Sequence, residues 1–435
     1  MKYYSTNGKA PEASLSEAVI KGLAPDKGLY MPETINPLPE AFFDTIENLS
    51  FHDIAFEVAK AFFGEDVREK DLRQIVRDTL SFDVPLVKVN DRIFSLELYH
   101  GPTAAFKDVG ARFMARLLSY FVKQQKQTRD VHVLVATSGD TGSAVANGFL
   151  GVPGIKVCVL YPKGKVSAIQ EKQFTTLGQN ITAVEVDGVF DDCQRLVKEA
   201  FMDEELNSKY FLTSANSINV ARFLPQAFYY FYAYAQYKKL GFGDKPVICV
   251  PSGNFGNITA GLFGYKMGLP VKRWIAANNR NDIFYQYLQT GEYLPRPSIQ
   301  TLANAMDVGD PSNFARILAL YGKSYPAIKK DISGATYTDE HIRKAISTCL
   351  TDNGYLLDPH GACGYQALHD NLASNEHGIF LETAHPAKFK QTVEDVIGKE
   401  VEIPETLRKF MDGTKQSIPM SKNFGDFKNL ILSRD

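Results

Sequence analysis

The 435-residue chain has little cysteine, a single tryptophan and no excess of charge of either sign. Its five cysteines, Cys158, Cys193, Cys249, Cys349 and Cys363, are widely spaced and form no Cys-x-x-Cys pair. That argues against a disulfide framework and a thiolate zinc site, and no metal is expected. Cys158 and Cys249 sit in apolar runs and are expected in the core. Cys363, in His360-Gly-Ala-Cys-Gly, is expected in an exposed loop as an inert thiol. With 48 basic and 50 acidic residues the formal net charge is -2. There is no electrostatic ground for a nucleic-acid or anionic-membrane partner. No apolar run approaches the roughly 18 residues of a membrane span. The opening Met1-Lys-Tyr-Tyr-Ser-Thr lacks the apolar core of a signal peptide, so a cytoplasmic location is expected. Fixed-period repeats and low-complexity tracts are also missing.

What is present reads as an ordinary globular protein, 44% hydrophobic and 23% charged. The length predicts two or three structural units. Residues 1 to about 90 read as a mainly helical N-terminal domain, with apolar residues at helical spacing over Leu15–Lys21 and Asp53–Phe63. From about residue 91 the pattern changes. The runs Ile93-Phe-Ser-Leu-Glu-Leu, Val131–Ala136, Lys156–Tyr161, Ile181–Val186 and Val247–Val250 read as strands. Helical segments lie between them, among them Ala111–Val122 and Asp192–Phe201. This alternation predicts an α/β fold with mostly parallel sheets, whose ligands bind beyond the carboxyl ends of the strands.

Three loops follow such strands. His100-Gly-Pro-Thr-Ala-Ala-Phe-Lys107-Asp108 precedes a helix expected to start near Val109, which places Lys107 close to a helix N-terminus. That position disfavours an ammonium and suits an amine that must attack an aldehyde. Taken alone, the loop is better read as a surface lysine beside a capping Asp108. Thr137-Ser-Gly-Asp-Thr-Gly-Ser143 offers hydroxyls and backbone N–H groups to an anion, or is a polar turn capped by Asp140 or Thr141. Ser252-Gly-Asn-Phe-Gly-Asn257 has the form of a phosphate cradle, but is neither a Walker loop nor a dinucleotide fingerprint. It therefore points away from ATP and NAD. One lysine loop and two anion-binding turns on one α/β sheet are harder to dismiss than any one of them.

Together these motifs resemble the fold-type II pyridoxal-phosphate enzymes, the group related to the tryptophan synthase β chain, and within it the threonine synthase family. His100–Asp108, Ala136-Thr-Ser-Gly-Asp-Thr-Gly, Pro251-Ser-Gly-Asn-Phe-Gly-Asn and Glu382-Thr-Ala-His-Pro-Ala-Lys-Phe389 stand in the family's order. The opening, with Ser16-Glu-Ala-Val, Gly22-Leu-Ala-Pro and Gly28-Leu-Tyr-Met-Pro, is similar as well, so the resemblance spans nearly the whole chain. It implies a large and a small domain. Residues 91–435 would be the catalytic region, with a small α/β subdomain at about 100–215 inserted in the large one.

The resemblance also implies roles. Lys107 would carry pyridoxal 5'-phosphate as a Schiff base and then move protons. Gly253, Asn254, Phe255, Gly256 and Asn257 would hold the cofactor phosphate, and Thr383 would hydrogen-bond the pyridine nitrogen. Thr137, Ser138, Gly139 and Thr141 would hold the substrate carboxylate, with Asp140 bordering the cofactor's phenolic oxygen. A carboxylate beside a phenolate is repulsive unless they share a proton, so Asp140 either holds that proton or turns away to cap the helix. Asn216 and Arg222 would help hold the substrate phosphate, for which a guanidinium is the natural fork. His385 is expected to be structural. The implied reaction turns O-phospho-L-homoserine and water into L-threonine and phosphate, in a monomer or homodimer. The competing readings are a dehydratase or phospho-lyase on the same scaffold, and a non-catalytic protein that keeps the fold.

Overall fold

The computed structural model describes residues 1–125 and 129–433. The chain divides into two compact units. The first comprises residues 1–31, 107–222 and 404–435, and the second residues 32–106 and 223–403. These divisions fall near 31, 106, 222 and 403, where the sequence suggests one near 90 and a subdomain over about 100–215.

Among the described residues the strands are β1 (Lys2–Ser5), β2 (Ala13–Ser14), β3 (Tyr30–Pro32), β4 (Leu86–Lys88), β5 (Ile93–Glu97), β6 (Val131–Ala136), β7 (Ile155–Pro162), β8 (Ile181–Val186), β9 (Phe211–Ser214), β10 (Val247–Pro251), β11 (Arg273–Asn278), β12 (Ile332–Thr336), β13 (Gly378–Glu382) and β14 (Ile418–Met420). A small sheet, β2-β1-β3, belongs to the N-terminal segment, which sequence alone read as helices and loops.

The first unit is built on the sheet β14-β8-β7-β6-β9, parallel throughout. β6 is a β-branched run buried along its whole length, as a strand covered on both faces must be. On one side Leu134, Leu160 and Val184 pack with Leu196 and Val197 of the helix Phe190–Met202 and with Phe427 near the C-terminus. Each such side chain contributes roughly 1.5–3 kcal/mol of burial.

The second unit is built on β12-β11-β10-β13-β5-β4, parallel except for the antiparallel edge strand β4. Val247, Cys249, Ile275 and Phe380 pack against Ile342 and Ile346 of the helix Asp339–Asn353 and Leu368 of the helix Pro359–Asn371. Cys363 lies inside that last helix and is fully buried, which corrects the expectation of an exposed loop. Asp358 caps the helix by accepting the His360 and Gly361 N–H groups, and Pro359 fills its first position. Cap and proline together are a helix-start signal, and they outweigh the two glycines that read as a loop.

Candidate active site

In the first unit the candidate residues lie at the carboxyl ends of two neighbouring strands. Thr137–Thr141 follow β6, and Asn216 and Arg222 follow β9. Lys107 opens the helix Lys107–Gln124, two residues earlier than the sequence indicated. Its carbonyl accepts Arg222 Nη1 at 3.0 Å, and Arg222 Nε donates to the Ala215 carbonyl at 2.7 Å. The buried guanidinium thus ties the start of the lysine helix to the end of β9. Gly110 permits the approach, since a Cβ there would collide with the Arg222 carbonyl. Asn216 Nδ2 reaches the Ala136 carbonyl at 3.4 Å, which links the ends of β9 and β6.

The Thr137–Thr141 turn divides its residues between building and presenting. Thr137 is buried, and its Oγ1 accepts the Gly139 and Gly142 N–H groups at 2.9 and 2.8 Å. Its side chain therefore shapes the turn. Ser138 is exposed and Thr141 partly so. Gly139 has φ +146°, and a Cβ there would come within 2.6 Å of the Gln170 carboxamide. Asp140 is buried and is the first helical residue, with Gly139 at the cap position. Its Oδ1 accepts Gln170 Nε2 at 2.9 Å. Asp140 is therefore oriented by Gln170, a residue the sequence did not single out.

In the second unit β5, β13 and β10 are adjacent, and each ends in a candidate segment. After β5 the chain runs through Leu98–Phe106, directly before Lys107. That segment is clamped to the one after β13. Leu98 N–H bonds the Glu382 carbonyl at 3.0 Å, Phe106 N–H the Thr383 carbonyl at 2.9 Å, and His385 N–H the Ala104 carbonyl at 3.1 Å. The fully buried Lys388 donates to the Thr103 carbonyl at 2.8 Å, and Tyr229 Oη to the Phe106 carbonyl at 2.7 Å. Ala104 sits at φ +53°, a left-handed conformation that costs a side-chain-bearing residue about 1–2 kcal/mol. The clamp holds it there, so the placement of Thr383 and of the residue before Lys107 is decided together.

After β10 the loop is folded by its own side chains. Asn257 Nδ2 donates to the Pro251 carbonyl at 2.8 Å, and Asn257 Oδ1 accepts Ser252 Oγ at 3.0 Å. Gly253 is required, because a Cβ would lie 2.6 Å from Met306 Cα. Phe255 adopts φ +62° and stands at the cap position of the helix Gly256–Lys266. The cap residue itself makes no side-chain bond, and of the first-turn N–H groups that of Ile258 is taken up by Asn257 Oδ1 at 2.9 Å. The other N–H groups of a helix start behind a left-handed residue form a concave set of donors, which is what a phosphate dianion requires. The donor set fits the phosphate of pyridoxal phosphate.

Two titratable groups, the buried Glu382 and the half-buried His385, flank Thr383. Burial, reinforced by the Asp358 and Glu97 carboxylates, pushes Glu382 well above the usual carboxylate range, which favours its protonated form. Gly361 accommodates it, since a Cβ there would collide with the Glu382 carboxyl. Burial, then the nearby His100, lowers His385 to about 4. His385 is neutral near pH 7, and its Nδ1 accepts the Ala387 N–H at 3.1 Å, a structural cap. Among the described residues no cluster of metal-ligating side chains occurs. Nor is any helix long and apolar enough to cross a membrane.

Comparison with known proteins identifies the family. The sequence matches the family described as pyridoxal-phosphate dependent enzymes over residues 79–378. It also matches the threonine synthase N terminus over residues 2–80 and the threonine synthase C-terminal region over 361–431. A threonine synthase of Serratia marcescens is 42% identical, with 99% of each chain covered. The crystal structure of threonine synthase from Escherichia coli superposes with a TM-score of 0.92 at 40% identity, covering 100% of both chains. The structure of PLP-bound threonine synthase from Brucella melitensis gives 0.93 at 35% identity, again over 100% of both. The chain belongs to the threonine synthase family of pyridoxal-phosphate-dependent enzymes.

Proposed function

We propose that the chain converts O-phospho-L-homoserine and water to L-threonine and inorganic phosphate, with Lys107 as the cofactor-bearing and proton-moving residue. The observation that carries this reading is that the family's N-terminal, cofactor-binding and C-terminal segments all occur, in order, along the whole chain. Bound pyridoxal phosphate supplies an electron sink that makes protons on the substrate's carbon chain removable.

The chain's own residues do the rest. Lys107, released when the substrate amine takes its place, removes the α proton. Its position at a helix N-terminus favours the neutral amine needed for that step. A β proton is then lost, the γ carbon–oxygen bond breaks and phosphate leaves. A proton is gained at γ, hydroxide from water adds at β, and a proton returns to the α carbon. The same amine can serve several of these transfers. The Gly253–Asn257 cradle holds the cofactor phosphate, and Thr383 meets the pyridine nitrogen. Ser138, Gly139 and Thr141 receive the substrate carboxylate on a turn that Thr137 shapes and beside an Asp140 that Gln170 orients. Asn216 and Arg222 serve the substrate phosphate, and Arg222 also fixes the Lys107 carbonyl.

The protein, incubated separately with O-phospho-L-homoserine, L-serine and L-threonine, is expected to release threonine and phosphate in equal amounts from the first alone. A keto acid from any of the three without threonine would overturn the substrate assignment. A cytoplasmic monomer or homodimer remains part of the proposal, the oligomeric state being read by sedimentation.

A further inference from the structure

Behind the Ser252–Asn257 loop lies a charged side chain that no sequence motif marked. Arg316, in the short helix Phe314–Leu320, is wholly buried. Its guanidinium lies 4.1 Å from the centre of the Phe223 ring, and Nη1 donates to Asn313 Oδ1 at 2.7 Å. Asn313 is itself fully buried and turns its amide to the loop. Nδ2 and the backbone N–H of Asn313 both reach the Asn254 carbonyl, at 3.0 and 3.4 Å. Ser312 N–H bonds Asn254 Oδ1 at 2.7 Å. A buried cation is thus one side chain away from the peptide that joins Asn254 to the left-handed Phe255.

The consequence follows from peptide geometry. In a trans peptide the N–H points opposite the C=O. A carbonyl drawn toward Asn313 therefore turns the Phe255 N–H away from Asn313. Hydrogen-bond chains polarise one another, and a bond that starts from a charged donor does so most. The Phe255 N–H is thereby a stronger donor to an anion. Burying a guanidinium costs several kcal/mol in general. An anion bound at this loop offsets part of that cost. Burial lowers Arg316 only to about 9, so the positive charge persists at neutral pH.

We propose that Arg316 is the buried positive charge of the cofactor-phosphate cradle, acting through Asn313 on the Asn254–Phe255 peptide, and that it makes the protein select pyridoxal phosphate over unphosphorylated pyridoxal. The proposal rests on the reading of Gly253–Asn257 as that cradle. Arg316 is a positioning residue in this account, because its link to the loop runs through Asn313.

The test is cofactor binding, not turnover. Apoprotein of the wild type, Arg316→Met, Arg316→Lys and Asn313→Ala is titrated with pyridoxal phosphate and, separately, with pyridoxal. Binding is read from the absorbance of the lysine-bound cofactor and from protein fluorescence. Arg316→Met and Asn313→Ala are each expected to weaken pyridoxal phosphate about tenfold or more, the scale of a hydrogen bond to a charged group, while changing pyridoxal less than about twofold. Arg316→Lys is expected to fall between wild type and Arg316→Met. Equal losses for both cofactors would assign Arg316 a purely structural role and overturn the proposal, as would no loss for either. If Arg316→Met does not fold, as judged by thermal unfolding of the apoprotein, Asn313→Ala decides by the same criteria. A wild type that does not itself prefer pyridoxal phosphate would instead sink the reading of the loop as a phosphate cradle.

Discussion

The turns Thr137–Ser143 in the first unit and Ser252–Asn257 in the second share the order strand, glycine-bearing turn, helix, yet a different kind of side chain folds each of them. In the first, the hydroxyl of Thr137, which lies ahead of the helix, takes up the Gly139 and Gly142 N–H groups, and the turn presents the hydroxyls of the exposed Ser138 and the partly exposed Thr141. In the second, Asn257, inside the helix, folds the loop through Ser252 and the Pro251 carbonyl and takes up the Ile258 N–H, and the turn presents glycines and a left-handed Phe255 in place of hydroxyls. A carboxylate that must come and go is suited by hydroxyls. A phosphate that stays is suited by backbone donors at a helix start. On the proposed assignment, similar sequences encode one turn for the substrate and one for the cofactor, and what differs is which groups the turn presents.

Substitutions can break this contrast. The largest effect is expected at the amine between the two roles. Lys107→Ala should lower turnover by at least about a thousandfold and abolish the cofactor's lysine-bound absorbance, while thermal unfolding of the apoprotein changes little. Next come the two glycines. Gly253→Ala forces a Cβ to within 2.6 Å of Met306 Cα and should weaken cofactor binding roughly tenfold or more in an absorbance titration. Gly139→Ala disturbs Gln170 and a backbone at φ +146°. It should raise KM for the substrate and leave cofactor binding intact. If both substitutions released cofactor equally, the two turns would not have separate tasks. Thr137→Val leaves two backbone N–H groups unmet and should cost about 1–3 kcal/mol of stability by denaturant unfolding, against a smaller change in cofactor affinity. Ser138→Ala should leave stability alone and raise KM only severalfold.

A pH experiment tests the floor beneath Thr383. Glu382 is raised well above the usual carboxylate range by burial and by Asp358 and Glu97. The folded state then holds a proton that the unfolded state releases. Above the unfolded value the stability of the wild type should fall as pH rises, by up to about 1.4 kcal/mol per unit for this one group, until the folded value is passed. Glu382→Gln should flatten that slope. An unchanged slope would mean that Glu382 is ionised in the folded protein.

Much of this was legible in the sequence because the relevant signals are local. The β-branched runs Val131–Ala136 and Ile181–Val186 are strands as read, and the three strand-end loops stand where alternation placed them. Short strands with weak patterns were not legible. β9 is only Phe-Leu-Thr-Ser, and β12 carries a glycine at Gly334, so neither has a run long enough to show a period. The supporting residues of the site were illegible for a different reason. Gln170 touches Asp140 across 30 positions, Asn313 touches Asn254 across 59, and Lys388 touches Thr103 across 285. Their roles exist only once the sheets are assembled. Arg222 shows the limit from the other side. Its guanidinium is proposed for the substrate phosphate, and its Nε and Nη1 also bond the backbone at Ala215 and Lys107, a role no motif announces.

The central claim is that Lys107 bears the cofactor. The holoprotein reduced with borohydride, digested and mapped by mass spectrometry tests it most directly. The account predicts the pyridoxyl-phosphate mass on the peptide containing Lys107, and the Lys107→Ala protein treated in the same way should carry none. A label on a different lysine, or an unmodified Lys107 in protein that holds its cofactor, would contradict it.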